Sequence, residues 1–315
     1  MPAPARQRIQ RRPLHGVLLL DKPLGLSSND ALQKAKWLLR AEKAGHTGTL
    51  DPLATGLLPL CFGAATKFSH TSLDADKYYT AEVRLGLTTE TGDAEGMPVQ
   101  GKPVQITLEQ LQQAVSQLVG TIQQVPPMHS ALKKDGKPLY AYARAGLEVE
   151  REARTVCVHA LNIQHWNPLE PEALTLGVHC SKGTYVRTLA QDLGELLGCG
   201  ASLKGLRRTG SGHLRLSEAI TLEQLEAMVE AKRVEALLPV DTLLAHWPKI
   251  QLSDNDAGRF ITGLRRRVLA SDCSAVRVYG PSKAQPVLLG SAHIKAGELI
   301  PDRLLSPPEI QAQTA

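Results

Sequence analysis

No two cysteines in this chain are spaced C-x-x-C. Cys61, Cys157, Cys180, Cys199 and Cys273 are scattered, and their number is odd. That pattern argues against a disulfide framework and against a zinc site. Long apolar runs are missing too. Near the Arg- and Pro-rich N-terminus only Gly16 to Leu20 is continuous, too short for a secretory signal or a bilayer span. The expected compartment is therefore reducing and cytoplasmic, with no membrane attachment. Gly-Lys-Ser/Thr, the mark of a phosphate-cradling loop, does not occur. Charge of one sign is barely in excess: 36 Lys and Arg against 31 Asp and Glu leave a net +5.

What is present is enough for a folded protein. At 315 residues and 43% hydrophobic, the chain can bury a large core and has room for a second, smaller one. Its basic residues come in clusters. Arg6, Arg8, Arg11 and Arg12 stud the start, followed by Lys133, Lys134 and Lys137, then Lys204, Arg207 and Arg208, then Arg265 to Arg267. Such spacing suits either a phosphate backbone gripped at several points or ordinary solvated faces.

Local patterns divide the chain. Residues 1–13 are expected to be a disordered basic tail. Val17 to Leu20 reads as a buried strand ending in a turn over Asp21 to Gly25. Ser27 to Asp30 supplies helix-start chemistry, and Leu32, Ala35 and Leu39 continue an apolar helical face. From Tyr79 to Leu85, apolar Tyr79, Ala81, Val83 and Leu85 alternate with Thr80, Glu82 and Arg84, the mark of a half-buried strand. Thr107 opens a helix by a capping box, carrying Leu111, Val115 and Leu118 and stopping at Gly120; Thr221 repeats the same TLEQL start. Leu174, Leu176, Val178 and Cys180 alternate again, and Lys182-Gly183 turns into a helix with Leu189, Leu193 and Leu196 inward. Pro239 to Asp241 reads as a boundary, beyond which a helix from Ser253 and strands near Val276 to Tyr279 and Val287 to Leu289 are expected. Strands and helices mix without βαβ alternation, so the fold class is α+β, a catalytic domain plus a small β-rich appendix.

The informative run is Gly45-His46-Thr47-Gly48-Thr49-Leu50-Asp51-Pro52-Leu53-Ala54-Thr55-Gly56. Three glycines permit tight backbone conformations, and Pro52 pushes Asp51 toward extended geometry. The expected result is a structured loop presenting one short carboxylate. Asp51 then either caps a turn or does chemistry, and spacing alone leaves both open.

That run, with Lys22-Pro23-x-Gly25 before it, resembles the active-site motif of the bacterial TruB-type tRNA pseudouridine synthases, which act on uridine-55 of the T-loop. The likeness continues in order along the chain. Asp76 to Tyr79 leading to Arg84-Leu85-Gly86 resembles the family's second segment. Val125 to Ala131 with Lys133 and Gly136-Lys137 resembles its RNA-gripping insertion, about residues 125–153. Ser181 to Arg187 and Leu206 to Arg208 resemble two further segments. One departure is His129, where the family pattern leads one to expect an aromatic residue.

The resemblance implies a pseudouridine-synthase fold: a large mixed, mostly antiparallel sheet flanked by helices over residues 14–245, and a PUA-like RNA-binding domain over 246–309. It implies Asp51 as the essential carboxylate, whether by attack on carbon or by removing the C2′ proton. Arg187 would hold that carboxylate, through a guanidinium fork able to grip it bidentately. Tyr79 would stack on an extruded uracil and move its C5 proton. Tyr185 and Leu206 would wall the pocket, Lys22 would contact substrate, and His46 would fill the gap left when the base flips. No cofactor or metal is implied, since the reaction is an isomerisation. The implied partner is tRNA, through its T-arm stem-loop, with no obligate protein partner and a monomeric chain. Two other readings stand beside this one. One is a tRNA folding chaperone, which does not exclude catalysis. The other is a guide-RNA-dependent relative, against which the nearly uncharged ending Gln311 to Ala315 is set.

Overall fold

The computed structural model describes residues 10–283 and 285–313. Most of the expected basic tail thus lies outside the described residues. Its last part is held in place, contrary to expectation. Arg12 donates its backbone N–H to the Arg40 carbonyl at 2.8 Å, accepts from Glu42 N–H at 3.1 Å, and turns its guanidinium to the Leu39 carbonyl.

Strand β1 (Gly16–Lys22) is followed by helix α1 (Ser28–Leu38). Ser27 and Asp30 cap that helix reciprocally, and Ala31, Leu32, Ala35 and Leu38 are its buried face. A short β2 (Ala44–His46) and a long β3 (Ala54–Phe62) bracket the Gly- and Thr-rich loop. Then come β4 (Lys77–Leu85), α2 (Leu108–Gln117), β5 (Gly120–Gln124), β6 (Arg154–Trp166), β7 (Ala173–Cys180), α3 (Val186–Leu196), β8 (Ala201–Ser211), β9 (Ile220–Thr221) and α4 (Leu222–Ala227). Both TLEQL segments start helices by the same capping box, as their sequence requires.

One sheet runs through this unit in the order β9-β1-β3-β8-β4-β7-β6-β5, with β2 on β3. β1 with β9 and β3 with β8 are parallel; the other pairs along this path are antiparallel. The fold is α+β, as its sequence pattern requires. Helices cover one face as two cores. Leu111, Val115, Leu189 and Leu193 pack on Ala81, Val83, Leu174 and Leu176, while Leu32, Leu38, Leu222 and Leu225 pack on Leu18, Leu20, Leu58 and Leu60. Tyr79 and Leu206 touch both cores, so the seam between them falls on β4 and β8. Leu196, expected to face inward, is exposed; the buried stripe of α3 instead includes Arg187.

Beyond residue 246 the chain forms a second, five-stranded sheet. Its strands are β10 (Lys249–Gln251), β11 (Arg266–Arg267), β12 (Cys273–Gly280), β13 (Val287–Lys295) and β14 (Glu298–Leu304), ordered β10-β12-β13-β14-β11. β14 carries too weak an alternation to be seen in sequence. The segment Pro239 to Asp241, read as a boundary, is no loose linker. Val240, Leu243 and Leu244 share a core with Val17, Leu19 and Leu57 on one side and Tyr279, Leu288 and Leu305 on the other, and the Tyr279 hydroxyl donates to Asp241. No helix among the described residues is long and apolar enough to cross a membrane.

Gly56 is where β3 and β8 meet. It pairs with Arg208 across the parallel contact, its φ is +99°, and an added Cβ would lie 2.3 Å from the Arg208 carbonyl oxygen. Only glycine combines that dihedral with so close an approach. Gly56→Ala should lower stability by about 2 kcal/mol or more, a drop in the unfolding midpoint of at least roughly 4 °C. Thermal unfolding followed by circular dichroism measures it, and an unchanged midpoint would show that the two strands are free to part here.

Candidate active site

The loop between β2 and β3 is held from below. Ser28, at the start of α1, donates its hydroxyl to the Leu50 carbonyl at 3.0 Å and accepts the Leu50 N–H at 2.7 Å. Asp51 accepts from Ala54 N–H through its carbonyl, and Pro52 accepts from Gly25 N–H. Thr47 is wholly buried and its hydroxyl meets that of Ser72. With both flanks fixed, the Asp51 side chain projects into a cleft and keeps 42% of its exposure.

Arg187 enters from the first turn of α3 and is almost completely buried. It does not grip Asp51 with both nitrogens, as the bidentate expectation had it. Nη2 lies 3.0 Å from Asp51 Oδ2, while Nη1 lies 3.1 Å from Oδ2 of Asp93. The same two nitrogens donate to the carbonyls of His129 and Thr91. Asp93 has only 3% of its side chain exposed and also accepts from the Thr91 hydroxyl and the Glu95 N–H. A guanidinium this buried requires compensation by charge and hydrogen bonds, and two carboxylates supply it better than one. Sequence reasoning missed Asp93. A signal was available, because Thr91-Gly92-Asp93 repeats the small-residue surroundings of Asp51.

Burial raises the Asp51 pKa above the usual carboxylate value; Arg187 opposes this and the Asp93 charge adds to it. Glu95, nearby, is raised by burial and by the same two carboxylates.

The cleft encloses about 300 Å³ at the seam of the two cores. Asp51, Tyr79, Tyr185, Arg187 and Leu206 all line it, so five expected residues meet there. Tyr185 is set by Gln124, a buried side chain that accepts its N–H at 3.0 Å and donates to its carbonyl at 3.2 Å. The Tyr79 hydroxyl hydrogen-bonds Arg208, and burial raises the phenol's pKa so that it keeps its proton.

Two expected residues do not face this cleft. Lys22 is fully buried, and its ammonium donates to the carbonyls of Pro23 and Leu26 at 2.9 and 2.6 Å. It therefore holds the turn instead of contacting substrate, and burial lowers its pKa to about 8. His46 lines a second hollow on the far side of the Asp51–Arg187 contact, with His129, Tyr140 and Arg144. Burial and then the Arg208 charge keep its imidazole below the ordinary range.

The basic cluster at 204–208 also reads differently. Arg208 is 1% exposed and donates to the Leu57 carbonyl at 2.7 Å and the Gly48 carbonyl at 3.3 Å. Arg207 pairs with Asp21. Lys204 is exposed and Arg207 partly so, its guanidinium already held by Asp21, so this cluster offers a phosphate backbone less than its three charges suggest. Lys133, Lys134 and Lys137 are exposed on a small hairpin beside the cleft.

Residues 36–186 match the model of the TruB family pseudouridylate synthase N-terminal domain, and 187–245 that of the tRNA pseudouridylate synthase B C-terminal domain. The chain belongs to the TruB family of pseudouridylate synthases. It is 57% identical to the tRNA pseudouridine synthase B of Verminephrobacter eiseniae, over 98% of this chain and 94% of that one. It is 58% identical to that of Ralstonia nicotianae, over 96% and 98%. Among solved structures, a Cbf5-Nop10-Gar1 complex gives a TM-score of 0.70 at 24% identity, covering 97% of this chain and 89% of its counterpart. An H/ACA RNP bound to a substrate RNA containing 2′-deoxyuridine gives 0.68 at 23%, covering 95% and 86%. These two likenesses establish the fold; the TruB membership rests on the sequence matches.

Replacing Arg187 by Met keeps length but removes the charge, leaving the buried Asp93 carboxylate without its cation. Breaking a buried pair in this way costs about 3–5 kcal/mol. Chemical denaturation should show that loss in Arg187→Met, and a loss below about 1 kcal/mol would mean that Asp93 finds another partner.

Proposed function

We propose that this protein is a tRNA pseudouridine synthase that isomerises uridine-55 in the T-loop, with Asp51 as its catalytic carboxylate. The observation that carries the reading is the 3.0 Å contact of Arg187 with Asp51 in a cleft walled by Tyr79, Tyr185 and Leu206. The names of its relatives, more than half identical over nearly their whole lengths, support the same substrate.

In the reaction the bond from ribose C1′ to uracil N1 breaks, one from C1′ to C5 forms, C5 loses its proton and N1 gains one. Asp51, anchored by Arg187, acts at the ribose. Its carboxylate attacks C1′ or removes the C2′ proton, and both require it ionised. Tyr79 offers its ring as a stacking face and its protonated hydroxyl as the group next to the freed base. Leu206 and Tyr185 close the remaining sides and keep water away. His46 stands at the second hollow, on the route by which RNA would approach, and fills the gap left by the flipped base. Lys133, Lys134 and Lys137 meet the phosphates of the T-arm. The protein works as a monomer in the cytoplasm, where its substrate is. Binding and refolding of tRNA rest on these outer surfaces and so are separable from the chemistry.

Asp51→Asn changes one atom and removes the charge. Tritium release from tRNA carrying 5-tritiated uridine should fall by at least about a thousandfold, with tRNA binding retained. Appreciable turnover would remove Asp51 from the mechanism.

The pH profile gives a second test. Activity is present while Asp51 is ionised and lost as pH falls through its pKa, which burial raises above 3.8. The acid limb of the single-turnover rate should therefore lie above the ordinary carboxylate range. Asp93 adds to that rise, so Asp93→Asn should move the limb to lower pH. A limb that stays put or moves upward would mean that another group sets it.

A further inference from the structure

Strand neighbours alternate faces, so the residues between those lining the cleft point to the opposite side of the sheet. Lys77 and Tyr79 line the cleft; Asp76 and Tyr78 belong to the other side. There β4, β7 and β6 lie side by side, and Asp76 meets His179 from β7 and His159 from β6. His159 Nε2 stands 3.4 Å from Asp76 Oδ1, and His179 Nε2 stands 3.5 Å from Asp76 Oδ2.

We propose that Asp76, His159 and His179 form a binding site for a divalent transition ion of the zinc type. Four observations carry this. First, the three donor atoms lie within 4.8 Å of one another, with His159 Nε2 facing Oδ1 and His179 Nε2 facing Oδ2 of the one Asp76 carboxylate. Zinc bonds of about 2.0–2.1 Å in a tetrahedron separate the donor atoms by about 3.4 Å, which matches both histidine–aspartate distances.

Second, Nε2 of His179 is buried and has no hydrogen-bond partner among the described residues, so its place beside the carboxylate is not explained by a hydrogen bond. Third, both rings are set from behind. The His179 ring stacks on Tyr78 with centroids 4.2 Å apart, and Nδ1 of His159 contacts Cys157 Sγ at 3.5 Å. Holding the unused ring nitrogen is how proteins orient an imidazole ligand. Fourth, the register of β6 against β7 shifts between Val158 and Ala160, leaving His159 as the extra residue of a bulge. Bulges re-aim side chains, and this one turns His159 toward Asp76.

The cysteine spacing argued against a zinc site. That argument concerned local motifs, whereas these ligands come from three strands far apart in sequence. Asp76, His159 and His179 all keep some exposure, so an ion would retain open positions for water. Its effect on the protein would be to rivet three adjacent strands near the Ser181–Tyr185 turn, on the face away from Asp51. The inference does not depend on the proposed reaction.

The test uses the full chain, stripped with a chelator and titrated calorimetrically with Zn²⁺, with Co²⁺ as the visible-absorption probe. Wild type should bind one Zn²⁺ per chain at micromolar concentration and show the Co²⁺ absorption of a four- or five-coordinate site with nitrogen ligands. Its unfolding midpoint should rise with Zn²⁺ and not with Mg²⁺. His159→Gln and Asp76→Asn should each weaken binding at least tenfold and lose the rise in midpoint. Their circular dichroism and tRNA turnover should match wild type without metal. No binding by wild type, or equal binding by both variants, would overturn the proposal. So would a response to Mg²⁺ equal to that to Zn²⁺.

Discussion

The structure around the cleft depends on one buried cation shared by two carboxylates. Arg187 sits on the same stripe of α3 as Leu189, Ala190 and Leu193, the residues that seat the helix on the sheet. Packing the helix therefore buries the guanidinium as well, and taking such a charge out of water carries a cost of several kcal/mol unless it is paired. Asp93 and the carbonyls of Thr91 and His129 meet most of that requirement, and Asp51 meets the rest from the cleft side. The arrangement fixes the direction of Asp51 without enclosing it. A bidentate grip would have turned both nitrogens to one carboxylate; the shared grip gives Nη2 to Asp51 and Nη1 to Asp93. The loop carrying Asp93 and the insertion carrying His129 are tied to the same side chain, so three irregular segments share one anchor.

The same device recurs beneath the cleft. Lys22, Lys77 and Arg208 are also buried cations, and each spends its donors on backbone carbonyls where regular structure gives way to loop: Pro23 and Leu26 in the turn after β1, Ser72, Leu73 and Ala75 at the end of a short helix, and Gly48 in the loop with Leu57 near the start of β3. A loop carbonyl cut off from water and from a strand partner must find a donor elsewhere. A lysine or arginine reaching up from the sheet provides several at once, which is how segments rich in Gly, Thr and Ser become rigid. Burial lowers Lys22 and Lys77 to about 8. Their role is structural, and their charge adds a positive background under a site that faces an acidic polymer.

This also explains what could and could not be read from the sequence. The strands and helices were legible wherever a period was repeated, as in Tyr79 to Leu85 or the two capping boxes, because one face of each is packed on a core. Asp51 was legible as a chemical candidate because glycines and Pro52 surround it, and the family resemblance brought in Tyr79, Tyr185, Arg187 and Leu206. Buried charges were misread. Lys22 and Arg208 look like surface cations in a sequence, since nothing local says that a carbonyl three or more residues away needs a donor. Asp93 was overlooked for the converse reason: its partner lies 94 residues along the chain, and only the tertiary fold brings the two together. β14 was invisible because Pro301 and Asp302 interrupt its alternation.

β4 then joins the two faces of the protein. Its odd-numbered residues, Lys77 and Tyr79, form the floor and wall of the cleft, while Asp76 and Tyr78 belong to the cluster with His159 and His179 behind it. A sheet transmits position from one face to the other only through its backbone, because the two sets of side chains never touch. Anything that pins Asp76 to its neighbours therefore limits how far Tyr79 can shift without altering the groups around Asp51. Stiffness and chemistry are carried by alternate residues of one strand, so a rear-face side chain can act on the reacting groups through the backbone without touching them. The coupling is mutual: moving Tyr79 moves the strand, and with it the Asp76 cluster.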